Sequence, residues 1–231
     1  MKNNEFDILI TELAKCNKCL NLKDKSLINF YDADIAKNIP SIWTDWYGRL
    51  DSELFIIGQD WGPYQDMVSL YERFKNGEDF QDLIDSEKSL TKKKLFKYLC
   101  ESASLENHEC DLNNIYITNA IMCARSGSNY RGNNINLNHS TLCCSKYLVR
   151  QIDIVKPKVI VTLGYYPLKA LASVFNFRIE DTLSKVLEKN DIIKADNYII
   201  IPLYHPTAQI SNDKQLERYR SIWRELGDVH E

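Results

Sequence analysis

A carboxylate, an amide, an imidazole and several thiols are the groups in this chain that could do chemistry, and each stands where a local pattern gives it a place. Asp60 lies in the stretch ELFIIGQDWGPYQ, residues 53–65. The apolar run 54–57 is too short for a helix and suits a buried parallel strand, which Gly58 and then Pro63 bring to an end. Asp60 therefore sits at the carboxyl end of a strand, the edge of an open parallel sheet where loops converge around ligands. In a plain surface turn the same carboxylate would only stabilise the turn. Asn119 closes a second apolar run, 115–118. A third, Val159–Leu163, ends at Gly164, and His205 stands just beyond a fourth, Tyr198–Leu203. Cys16-Asn17-Lys18-Cys19 is a turn able to present two thiolates to one metal centre, a spacing that zinc sites and redox dithiols share.

The bulk properties limit what these groups can serve. The chain of 231 residues is 44% hydrophobic and 26% charged, ordinary values for one globular domain with a full core. Its net charge of -3 gives no global field to attract nucleic acid, so such binding would need a local basic patch. The first ten residues carry Asn, Glu and Asp where a signal peptide needs a basic start and an apolar core, and no apolar run reaches membrane length. A cytoplasmic protein that engages no membrane is expected. In that reducing compartment disulfides are not expected, and the odd count of seven cysteines points to metal or cluster ligation.

The elements that must position these groups follow from periodicity. Phe6, Leu9, Ile10 and Leu13 predict a helix over 4–15 that runs into Cys16, and residues 20–53 read as an irregular approach to the first strand. The polar stretch 67–88 suits a lid over the crevice. A helix over 91–105 would turn Leu95, Tyr98, Leu99 and Ser102 inward and the lysines 92, 93, 94 and 97 outward. A loop rich in Gly, Asn and Ser leads to a helix capped by Ser140 and ended by Pro157, and further helices are expected over 167–175 and 213–226. Strands alternating with helices imply parallel crossovers. The fold predicted is α/β, a three-layer α/β/α sandwich around a four-stranded parallel sheet, with a single domain spanning 1–231.

Four strand ends thus deliver Asp60, Asn119, the Gly164 turn and His205 to one sheet edge. In order and placement, the motifs GQD (58–60), ITNAIMC (117–123), VIVTLG (159–164) and HPT (205–207) resemble those of the uracil-DNA glycosylase superfamily. The cysteines resemble its iron-sulfur branch, family 4. That resemblance implies a [4Fe-4S] cluster on Cys16, Cys19, Cys123 and Cys144, with Cys143 as the competing fourth ligand and a zinc ion as the alternative occupant. The first motif departs from the branch, which usually reads Gly-Glu-x-Pro-Gly. Here Gly58-Gln59-Asp60 is closer to the motif of the cluster-free uracil glycosylases.

The resemblance also implies roles. Asp60 would position a water and stabilise positive charge on the deoxyribose, and His205 would donate to uracil O2 as the base departs. Asn119 would read the base edge, accepting from N3–H and donating to O4, within a pocket that includes Gly58 and Gln59. Phe80, with Tyr64 and Trp61 as alternatives, would stack on the base. Arg125, Arg131 and the lysines 92–94 would hold phosphates, and Ile210 would fill the gap left by the extruded nucleotide. The activity implied is hydrolysis of the N-glycosidic bond of uracil in DNA by a monomeric enzyme. The competing reading is a cluster-containing DNA-binding or lesion-sensing protein that has lost catalysis.

Overall fold

The computed structural model describes residues 1–18, 27–29, 45–86, 89–126, 137–189 and 192–227, with the side chains at 80, 81, 84 and 137–143 outside that description. Its centre is a sheet of four parallel strands, β2 (Leu54–Gly58), β3 (Ile115–Asn119), β5 (Val159–Leu163) and β7 (Tyr198–Leu203). A fifth strand, β6 (Ile193–Ala195), pairs antiparallel with β7, giving the order β3-β2-β5-β7-β6. The expected four parallel strands are present, and the antiparallel edge strand is an addition to them. Part of the approach read as irregular forms β1 (Leu27–Ile28), which pairs with β4 (Ala124–Arg125), beyond β3, as a two-stranded antiparallel ribbon.

The strands alternate their side chains between two cores, as period-2 geometry requires. Phe55, Ile57, Tyr116, Ile160 and Ile200 face one core, which also takes in α1 (Lys2–Ala14), α5 (Leu137–Val155) and α6 (Tyr165–Val174). Leu54, Ile56, Ile115, Ile117, Val161, Ile201 and Leu203 face the other, against α4 (Leu90–Leu105) and α8 (Asn212–Gly227). Helices on both faces complete the three layers. An aromatic group fastens the segment before β2 to the first core: Phe55 stacks on Tyr116 with ring centroids 4.8 Å apart, Trp46 stacks above Tyr116, and Trp46 Nε1 donates to the Ile117 carbonyl at 2.7 Å.

Several expectations are corrected. The polar stretch after β2 forms two helices, α2 (Tyr64–Lys75) and α3 (Phe80–Ser86), held together by Leu70 and Leu83. A further helix, α7 (Leu183–Lys189), precedes β6. Helix α4 begins one residue early because Ser89 caps it, its Oγ accepting from the Lys92 N–H at 3.3 Å. Lys92 is buried against Phe96 rather than turned to solvent, since it falls on the stripe of Leu95 and Leu99 and can lay its methylene stem there. Cys100 and Cys110 are joined by a disulfide, contrary to the expectation that none would form; α4 and the segment leading to β3 bring their Cα atoms to 5.0 Å. Among the described residues no helix is long and apolar enough to cross a membrane.

Candidate active site at the carboxyl edge of the sheet

The parallel strands have the order β3-β2-β5-β7, so the chain leaves β2 to one side for β3 and crosses to the other for β5. That reversal opens a crevice beyond the carboxyl end of β2, and the groups singled out in the sequence gather around it. Gly58 and Asn119 are the last register pair of β2 and β3. The ladder then continues into the loops, with Ala120 N–H on the Gly58 carbonyl and Ile121 N–H on the Gln59 carbonyl, both at 2.9 Å.

The Asn119 side chain lies directly against Gly58. A Cβ at position 58 would lie 2.3 Å from Asn119 Oδ1, well inside contact distance. The Asn119 side chain is thus laid across the strand end, only 4% of the residue exposed, and no hydrogen bond reaches it from the described residues. Neither amide atom is fully shut off from solvent, so its donor and acceptor remain open to a ligand in the crevice.

Asp60 is the opposite case. Its side chain is 6% exposed, and its carboxylate takes four hydrogen bonds. Oδ1 accepts from Arg125 Nε at 2.9 Å and from the Gly62 N–H at 3.0 Å, while Oδ2 accepts from Arg125 Nη2 at 2.5 Å and from Gln59 Nε2 at 2.9 Å. The Gly62 bond requires a tight turn back, which Gly62 supplies with a φ of 76° in the left-handed region. Burial pushes the carboxyl pKa up, but the Arg125 and Gln59 hydrogen bonds, the Arg125 charge and the Gly62 N–H outweigh it and hold it below the ordinary carboxylate value. Asp60 is ionised at neutral pH.

His205 follows β7 on a loop tied down at both ends. Its carbonyl accepts from the Ala208 N–H at 2.8 Å and from Gln215 Nε2 of α8 at 3.0 Å. Nδ1 accepts from the Thr207 N–H at 3.3 Å and lies 2.8 Å from the Thr207 hydroxyl, which leaves Nε2 carrying the proton. Burial pushes the imidazole pKa down and the Asp60 charge pulls it partly back, with a net lowering. Asp60 and His205 each lie just beyond the carboxyl end of a parallel strand, β2 and β7, and the imidazole presents a neutral N–H donor.

The remaining expectations divide. Tyr64 is half-buried at the start of α2, while Trp61 is buried with its ring 5.3 Å from that of Trp46, a core member rather than a stacking platform. The Phe80 side chain and the whole of Arg131 lie outside the described residues. Ile210 is half-buried on the loop after His205. Arg125 turns inward onto Asp60, its side chain 15% exposed. That partnership spans 65 residues and left no local signal; Thr207 as the orienter of His205 could have been read from the HPT motif.

Cys123 and Cys144 are buried, and Cys16 is half-buried at the end of α1. They line neighbouring parts of one wall: Cys144 Sγ accepts from the Met122 N–H at 3.4 Å, and the Tyr147 hydroxyl, one turn along α5, has its pKa pushed up by burial and then by the Cys16 thiol. Asn29 Nδ2 donates to the carbonyls of Leu13 at 2.8 Å and Cys16 at 2.7 Å, tying the segment after α1 to the ribbon that carries Arg125. Cys19 and the Cys143 side chain lie outside the described residues, and among those described no three Cys, His, Asp or Glu side chains form a metal-holding group.

Comparison with known proteins agrees with this architecture. Residues 46–227 match the family model of the uracil DNA glycosylase superfamily. A type-4 uracil-DNA glycosylase of Archaeoglobus fulgidus is 23% identical over 228 residues, covering 97% of this chain and 92% of that protein. One from Saccharolobus solfataricus is 25% identical over 212 residues, covering 90% and 79%. One from Sulfurisphaera tokodaii reaches 36% identity, over 103 residues that cover 42% of this chain and 43% of that protein. With the strand-end constellation in place and more than half of the chain matched, this protein belongs to the uracil-DNA glycosylase superfamily.

Proposed function

We propose that the protein hydrolyses the N-glycosidic bond of uracil in DNA and leaves an abasic site. The observation that carries this reading is the Asn119 amide, buried beside Gly58 with its hydrogen-bonding capacity unspent. A uracil edge offers N3–H to its oxygen and O4 to its amide nitrogen, whereas cytosine inverts both. A polar site of this kind discriminates by about 10⁴-fold when the pattern is reversed, because its own buried groups are then left unpaired.

The reaction follows from the groups around that pocket. The extruded nucleotide presents its base to Asn119, with the ring of Tyr64 or Phe80 against its face. As the C1′–N1 bond lengthens, its electron pair moves onto the base, and the His205 Nε2–H donates to O2 where the charge collects. The sugar becomes electron-deficient and Asp60 faces it with a fixed negative charge. A water oxygen forms the new bond to C1′ and sheds a proton by way of Asp60 to solvent, while the base anion is neutralised by a proton from solvent. Such a water grows acidic as it bonds to the cationic centre, so a carboxylate of low pKa suffices. Ile210 fills the vacated stack, and Arg131 and the exposed lysines of α4 hold phosphates.

Cys16, Cys19, Cys123 and Cys144 would hold the iron-sulfur cluster. Soft thiol donors from the end of α1, the loop after Asn119 and α5 suit such a group, and the bond from the Met122 N–H, next to Cys123, to Cys144 Sγ supports the choice. The cluster supplies a structural clasp between the amino terminus and the Asn119 loop, and the hydrolysis has no redox step. Anaerobically purified protein should be brown and carry about four irons per chain; a colourless folded protein with one zinc would reject the cluster. For the activity itself, a uracil-containing oligonucleotide should become alkali-labile at the uracil while its cytosine counterpart stays intact. An intact uracil strand, bound but uncut, would turn the reading toward the lesion-sensing alternative.

A further inference from the structure

The buried ion pair between Asp60 and Arg125 goes beyond what bond cleavage requires of either residue. A carboxylate has about four lone-pair directions, and here four donors occupy them. They differ in how firmly they are held. The Gly62 N–H is fixed by its turn. Arg125 is fixed by its backbone, whose N–H donates to the Gly62 carbonyl at 2.7 Å, which bridges Pro63, and which pairs with Leu27 in the ribbon. The fourth donor, Gln59 Nε2, ends a long, half-buried side chain just past the strand end, held by rotatable bonds rather than by the backbone.

We propose, resting on the function read above, that Arg125 is a positioning residue for the hydrolysis: its fork locks the Asp60 carboxylate so that the Oδ2 direction now covered by the Gln59 amide is the place where the attacking water binds. Nε and Nη2 each take one oxygen, which fixes the plane of the carboxylate as well as its position, and a lysine could not do this with a single ammonium group. Swinging the Gln59 amide aside uncovers one lone pair and leaves the other three engaged. The water then has one defined direction from which to approach C1′. Arg125 serves the reaction through Asp60 and does not hold the DNA backbone.

The two roles for Arg125 separate in one set of measurements on the full, cluster-loaded chain with a uracil-containing duplex. Arg125→Ala should lower the single-turnover rate by about 10²-fold, the cost of a catalytic group displaced by about 1 Å, while the affinity and its salt dependence stay as in the parent. Arg125→Lys should recover only part of that rate. Arg125→Ala combined with Asp60→Asn should be no slower than Asp60→Asn alone, because the arginine acts through the carboxylate. A salt slope lower by about one with an unchanged single-turnover rate would make Arg125 a phosphate contact and overturn the proposal, as would additive losses in the double variant. If Arg125→Ala does not fold, Arg125→Lys decides the matter by the same two readouts. A parental chain that leaves uracil in place fails the proposed function, whereas an active parent with an unimpaired Arg125 variant fails this inference alone.

Discussion

Asp60 and Asn119 close or follow neighbouring strands and are both buried, yet one has every lone pair engaged and the other has no hydrogen bond from the described residues. Asp60 is organised by the protein before any ligand arrives. Asn119 takes no hydrogen bond from the described residues, and in the function proposed above a ligand with the matching edge would complete it. The contrast separates two ways of building a site: charge is fixed in advance because reorienting it during the reaction would cost rate, whereas a reader of bases must keep its valences open to be selective.

The difference should be plainest when each side chain is removed. Asp60→Ala takes the carboxylate away from the largely buried Arg125 guanidinium, a loss of roughly 3–5 kcal/mol for a pair of this burial. Asn119→Ala removes an amide that no described residue hydrogen-bonds and whose polar atoms still reach solvent, so unfolding stability should stay within about 1 kcal/mol of the parent. Excision should nonetheless fall by roughly 10²–10³-fold in Asn119→Ala, the usual cost of one transition-state hydrogen bond. Urea titrations beside single-turnover assays read both. Equal destabilisation by the two substitutions would erase the distinction.

Much of this site was legible in the sequence because strand ends are. Four short apolar runs, each closed by Gly, Asn or a polar turn, place Asp60, Asn119 and His205 on one edge. The partner of Asp60 was not legible. Arg125 stands in a polar loop and reads as a surface cation, and nothing local reveals that the turn at Gly62 and the pairing with Leu27 aim it inward. Lys92 shows a different failure: it shares the helical stripe of Leu95 and Leu99, so the spacing pointed inward and the residue type argued outward. Strand β6 is three residues long with a single buried position, too little for period 2 to show.

Gly58 sharpens the comparison at a smaller scale. Glycine inside a strand usually weakens it, and Gly→Ala at such a position typically gains about 0.5–1 kcal/mol. Here the new Cβ meets Asn119 Oδ1 at 2.3 Å, so the sign should reverse, with a net loss of about 1–2 kcal/mol. Excision should drop at least about tenfold because the amide is pushed from its place. Gly58→Ala protein as stable and active as the parent would mean that Asn119 moves freely, and that its position is not set by the strand end.

The smallest effect expected is a pH dependence carried by His205. Its pKa is lowered in the folded protein, chiefly by burial, so the unfolded chain binds its proton first as the solution is acidified. The stability tied to the neutral imidazole is therefore fully present above the unfolded value of about 6.5 and is lost as pH falls below it toward the folded value, by at most about 1.4 kcal/mol per pH unit. Protonation would also put a hydrogen on Nδ1, where the Thr207 N–H now donates, so the charged ring loses a partner as well as its dry surroundings. Asp60 does not confuse the measurement: its pKa is lowered too, and its contribution fades only below about pH 3.9. Urea unfolding of the parent and of His205→Gln between pH 5 and 8 isolates the term. The parent's stability relative to the variant should be flat above pH 7 and decline below 6.5. A relative stability that grows on acidification would show that folded His205 gains its proton more readily than the unfolded chain, with the Asp60 charge outweighing burial and an imidazolium rather than a neutral donor facing the base.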